Sequence, residues 1–177
     1  MRFAVSTALF ADRPLEKALQ SAAQAGYEGV EIMGREPHLP PTASRQRIDA
    51  LRALTKDLGL TVCCLATDTG SYGDAMLQEC RFHLEALRIY LEFARLLECD
   101  IVRHGPGGPP EWRASTSNWQ QAADWMRRAA EAARGYGMRL GMEMAFGTLI
   151  ESPEGAQRML QMVNRKEVGL ILSPGDS

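Results

Sequence analysis

Apolar positions along this chain follow two alternating patterns. Short apolar runs rich in β-branched residues are separated by longer stretches in which apolar residues recur every three or four positions. The first pattern predicts strands and the second amphipathic helices. "RFAVSTALF" reads as a strand, and Asp12 with Pro14 opens a helix carrying Leu15, Ala18, Leu19, Ala22 and Ala23 on one face. Gly26 stops that helix, and "GVEIMG" is a second strand. "REPHLPPTAS" is a proline-rich loop, "RQRIDALRALTKDLG" a helix and "LTVCCLA" a third strand. "TDTGSYGDA" is a polar loop before the long helix "LQECRFHLEALRIYLEFARLLE". "CDIVRHG" is a fourth strand and "PGGPPEWRAST" a loop. Ser117 with Gln120 has the form of a capping box opening the next helix. "MRLGMEMA" is a fifth strand. Ser152-Pro153-Glu154 starts a fifth helix, with proline in the first turn, and "VGLIL" is a sixth strand.

Strict alternation of strand and helix, with strands apolar on both sides, predicts an α/β fold built on a parallel sheet. No linker or low-complexity stretch interrupts it, so residues 1–177 are expected to form a single domain. Two architectures fit. A doubly wound open sheet is complete at this length. A (β/α)8 barrel needs about 250 residues, so the chain would supply six of its eight units. Both folds gather ligands at the carboxyl ends of their strands.

Composition narrows the functional classes. A net charge of −2 with dispersed basic residues gives no electrostatic reason to expect nucleic acid or an anionic membrane surface as partner. No apolar run approaches the roughly 18 residues of a membrane span, and the N-terminal stretch lacks the form of a signal peptide. The cysteines, Cys63, Cys64, Cys80 and Cys99, include no C-x-x-C pair. That usage suits buried thiols in a reducing, cytoplasmic setting.

The candidate chemistry lies at the strand ends. Glu143 stands in an otherwise apolar strand, where an ionised carboxylate is costly unless it is paired or bound to a metal. Arg103 is a possible ion-pair partner. Glu31 is a second strand acid, and the alternative for it is a structural ion pair. His104 ends the fourth strand as a ligand or general base, or as a hydrogen-bonded structural histidine. His38, in a loop expected to be exposed, Asp68, Trp112 and Arg103 are candidates for substrate contact. His83, in mid-helix, reads as packing or surface. "GPGGPP" lacks the spacing of a phosphate-binding loop and reads as a rigid exit from a strand.

The ordered set of segments resembles a known family. "MRFAVSTALFADRPLEKALQSAAQAGYEGVEI", "LGLTVCCLA", "LECDIVRHGPGG", "YGMRLGMEMA" and "PEGAQRMLQMVNRKEVGLILSPGD" are similar to successive parts of the sugar phosphate isomerase/epimerase family, the xylose isomerase-like TIM barrels. The resemblance implies a barrel lacking its last two βα units. It also implies a divalent metal (Mn, Zn or Mg) at the mouth and isomerisation, epimerisation or dehydration of a sugar or polyol. Glu143 matches the family's metal-binding strand-five Glu, and Glu31 its frequent strand-two Glu. His104 lies where some members carry a strand-four His. The sixth strand of the family ends Asp-Pro-Gly, and here Ser173 replaces that Asp, leaving Asp176 as the nearby carboxylate. Uncovered sheet edges imply a homo-oligomer. The alternative is a non-catalytic barrel that binds a small molecule or self-associates, with an incomplete metal site.

Overall fold

A computed structural model of the chain describes residues 3–172. Six strands form one sheet: β1 (Ala4–Ser6), β2 (Gly29–Gly34), β3 (Thr61–Gly70), β4 (Ile101–Gly105), β5 (Arg139–Glu143) and β6 (Val168–Ile171). Their order in the sheet is their order in the chain. The pairings β1–β2, β2–β3 and β5–β6 are parallel. The helices are α1 (Leu15–Gln24), α2 (Arg45–Asp57), α3 (Leu77–Leu96), α4 (Thr116–Gly135) and α5 (Pro153–Val163). A doubly wound sheet reverses its strand order at a switch point, whereas a barrel adds each strand beside the last. Sequential order therefore makes this the barrel type, represented by six βα strands, and sets aside the open-sheet alternative.

The residues divide into two compact units. One holds the described residues up to Asp68 with Ile89–Val102, and the other holds Thr69–Arg88 with those from Arg103 onward. In the first, α1 buries Leu15, Ala18, Leu19 and Ala22, and α2 buries Ile48 and Leu51, as their spacing predicts. Val30 and Ile32 of β2 and Leu65 of β3 are fully buried. A register shift between Val30 and Glu31 sets Glu31 opposite Cys64. In the second unit, α4 buries Trp119, Trp125, Met126 and an alanine row. There α5 buries Ala156, Met159 and Val163, and β5 buries Leu140 and Met142.

Three local expectations are corrected. The first strand ends at Ser6, and Thr7–Phe10 is a 3-10 helix, because the Ser6 hydroxyl accepts from the amide of Ala8. The third strand runs on to Gly70, and its pairing with β2 continues past Ala66 as far as Gly34–Thr67. The capping box of α4 is Ser115–Asn118, two residues before Ser117–Gln120: each side chain accepts from the other's backbone N–H.

Candidate active site

Strand alternation divides the polar residues of β4. Val102 and His104 are buried on one face, while Ile101, Arg103 and Gly105 are partly exposed on the other. Glu143 closes β5, the next strand in the sheet. Arg103 Nη1 donates to Glu143 Oε2 at 2.5 Å, and the two side chains are 24% and 22% exposed. Partial burial strengthens this charge-assisted bond without removing the pair from solvent. These are the two strand-end candidates that the second unit brings together.

His104 is fully buried. Its Nδ1 lies 2.9 Å from Thr69 Oγ1 and its Nε2 2.9 Å from the Tyr72 hydroxyl. The Tyr72 ring stacks on Trp125 at 5.7 Å and meets the edge of His83 at 6.2 Å. Burial holds the imidazole down at about 3, with His83 pushing the same way. The ring is therefore neutral near pH 7, with both nitrogens engaged. Burial also raises the Tyr72 phenol.

Tyr72 anchors a loop that leaves no room for side chains at three glycines. A Cβ on Gly70 would lie 2.1 Å from the Gly105 carbonyl oxygen, and one on Gly73 2.2 Å from that of Gly108. A Cβ on Gly107 would meet Ser71 Cα at 2.2 Å. The amides of Ser71 and Tyr72 donate to the carbonyls of Gly105 and Pro106. From α4, Gln121 donates to the Tyr72 and Ala75 carbonyls and Asn118 to that of Gly73. "GPGGPP" is thus a backbone-packed exit from β4, as its sequence suggests.

In the first unit, His38 is fully buried, correcting the expectation of an exposed loop. Its Nδ1 lies 3.0 Å from Thr7 Oγ1, and its Nε2 lies 3.3 and 3.1 Å from the carbonyl oxygens of Phe10 and Arg13. Two carbonyls can only accept, so Nε2 carries the proton. Thr7 Oγ1 accepts from the Met33 amide at 2.9 Å and is left to donate to Nδ1. From the loop after β2, the ring thus supplies an interior partner for the backbone of the segment after β1. Arg47 and the Tyr90 hydroxyl supply two more, bonding the carbonyls of His38 and Gly34.

The remaining candidates are placed as follows. Glu31 is partly buried beside Cys64, whose thiol is pushed up by burial and then by this carboxylate. Asp68 ion-pairs with Arg35 at 2.6 Å, both about half exposed. Trp112 sits in the 3-10 helix Glu111–Arg113 and is 79% exposed. His83 is half-buried in α3 between the Tyr72 and Phe82 rings, as packing. Ser173 and Asp176 lie outside the described residues. Among the described residues no group of three or more His, Cys, Asp or Glu is placed to hold a metal ion. The Glu143 carboxylate is shared with a guanidinium, a poor arrangement for a cation. The described donor set therefore does not fit a divalent metal. Sequence reasoning passed over Glu151 and Phe146, which carry no motif; only the loop contacts described below reveal them.

A profile of the xylose isomerase-like TIM barrel family matches residues 19–176, and the chain belongs to that family. It is 26% identical over 176 residues to the rhizopine catabolism protein MocC of Rhizobium meliloti, spanning 94% of this chain and half of that protein's length. The IOLI protein, solved with a binding zinc atom, superposes with a TM-score of 0.83 at 18% identity, over 97% of this chain and 62% of its own. The D-allulose 3-epimerase of Methylomonas sp., solved with D-allulose, has a TM-score of 0.74 at 20% identity, over 96% of this chain and 61% of its own. At these identities the structural likeness is one of fold. No helix among the described residues is long and apolar enough to cross a membrane.

Proposed function

We propose that the chain carries the proton-moving face of a sugar or polyol isomerase/epimerase. The observation that carries this reading is the part-exposed Arg103–Glu143 pair at the carboxyl ends of adjacent strands. Family membership and the likeness in fold to a D-allulose epimerase support a sugar or polyol as the substrate class. In this reading Glu143 takes a proton from the carbon beside a carbonyl. Arg103 holds the oxygen that gains charge as the enediolate forms. Return of the proton to the neighbouring carbon completes an isomerisation once the hydroxyl proton on the carbon that lost it has passed to the former carbonyl oxygen. Epimerisation needs a second donor on the opposite face of the same carbon. A metal in the whole protein would polarise that oxygen, but the described residues do not form its site, and no step here depends on one.

The same reading assigns the other candidates by what they touch. His104, neutral and doubly bonded, positions the loop after β3 and moves no proton. His38 positions the loops after β1 and β2. Trp112 and Asp68 remain accessible for substrate contact, and Glu31→Gln tests the second strand carboxylate. The decisive variant is Glu143→Gln, assayed on D-allulose and a panel of ketoses and cyclitols. Removing a general base costs about 10²–10⁴ in rate, with thermal stability expected to stay near wild type. Turnover equal to wild type in a folded Glu143→Gln protein would overturn the assignment.

A further inference from the structure

Glu151 joins two loops that no strand pairing connects. Its Oε1 accepts from the backbone N–H of Glu111 at 3.0 Å, in the loop after β4. Its Oε2 accepts from the backbone N–H of Gly147 at 2.9 Å, in the loop after β5. One carboxylate thus holds both nitrogens within about 8 Å of each other, two hydrogen bonds plus its own width. The link is doubled from the other side. Ser152, the residue after Glu151, donates its hydroxyl to Glu111 Oε2 at 2.5 Å, and the Leu149 amide donates to the Gly107 carbonyl at 2.9 Å.

The bonded amides are next to two unusual side chains. Trp112 follows Glu111 and is 79% exposed; Phe146 precedes Gly147 and is 98% exposed. Two large aromatic rings left in water on braced loops contribute no burial to folding and are available for binding. Both loops leave the strands that carry Arg103 and Glu143. A sugar or cyclitol ring has apolar C–H faces and a polar rim. Aromatic walls with a few charged groups suit such a ligand.

We propose that Glu151 is a positioning residue that sets Trp112 and Phe146 as paired aromatic walls for the ring of a sugar or cyclitol. The ligand class rests on the proposed function above; the brace does not. Hydrogen exchange on wild type, Glu151→Ala and Glu151→Gln tests the brace. Glu151→Ala is expected to lose protection in residues 111–113 and 145–148 together, and Glu151→Gln, which keeps one acceptor oxygen, to lose less. Unchanged exchange, or a change in only one loop, would overturn the brace. Calorimetric titration with D-allulose and myo-inositol tests the walls. Trp112→Ala, Phe146→Ala and Glu151→Ala are each expected to weaken binding about 10-fold or more. Wild-type affinity in both aromatic variants would overturn the walls. A wild-type protein that binds neither probe would overturn the proposed function, and with it the ligand named here, leaving exchange to judge the brace alone.

Discussion

His38, in the loop after β2, and His104, in β4, are both fully buried with both ring nitrogens engaged, yet their surroundings differ. His38 faces two carbonyl oxygens and one hydroxyl, which fix a single tautomer. His104 faces two hydroxyls, each able to donate or accept, and lies against the Tyr72 ring. The first holds backbone to backbone across loops. The second holds one side-chain network, while the opposite face of its strand carries Arg103. Both histidines thus have their nitrogens taken up inside the protein, and on β4 the part-exposed neighbour on the other face is Arg103.

The largest test of this contrast is acid. In the unfolded chain histidine titrates near 6.5, whereas folded His104 is held at about 3. Between those values the unfolded state binds the extra proton, so the stability His104 confers is full above about pH 6.5 and is lost as pH falls toward 3. The expected slope is about 1.4 kcal/mol per pH unit, roughly 4–5 kcal/mol over the window. Urea midpoints from pH 7 to pH 4 read it, and His104→Asn should lower stability at pH 7 but flatten the slope. An unchanged slope in that variant would remove His104 as its source.

Next is the loop that Tyr72 anchors. Gly107→Ala puts a Cβ 2.2 Å from Ser71 Cα, at a φ of 75°, and should cost about 3 kcal/mol or more. Gly137→Ala, at φ 73° but with nothing within 4 Å, isolates the backbone cost of about 1 kcal/mol. Equal losses in chemical denaturation would mean that the loops do not interlock. His38→Ala should cost about 2–3 kcal/mol, because it strands two carbonyls and leaves a cavity. A protein as stable as wild type would show that those carbonyls reach water. The smallest effect is expected at Asp68→Asn, whose half-exposed ion pair with Arg35 is worth less than about 1 kcal/mol, less still in high salt. A larger loss would indicate that Asp68 holds structure and is not merely accessible.

The sequence by itself determined the alternation of six strands and five helices, the family, and the placing of Glu143 on a strand otherwise apolar. These signals are local: helix and strand differ in apolar period, and a charge inside an apolar run is visible without any partner. Helix ends were nearly as readable where one side chain decides them, as at Ser152. The capping box of α4 slipped by two residues because Ser115 and Ser117 offer the same hydroxyl. Only the tertiary structure decided which partners the acids and histidines meet. His38 meets Thr7 across 31 residues, Arg103 meets Glu143 across 40, and Glu151 reaches Glu111 across 40. Burial, ion pairing and loop bracing at those separations arise from strands laid side by side. Proximity of that kind has no period along the chain, so a sequence names candidates for a site and only the packing shows which of them meet.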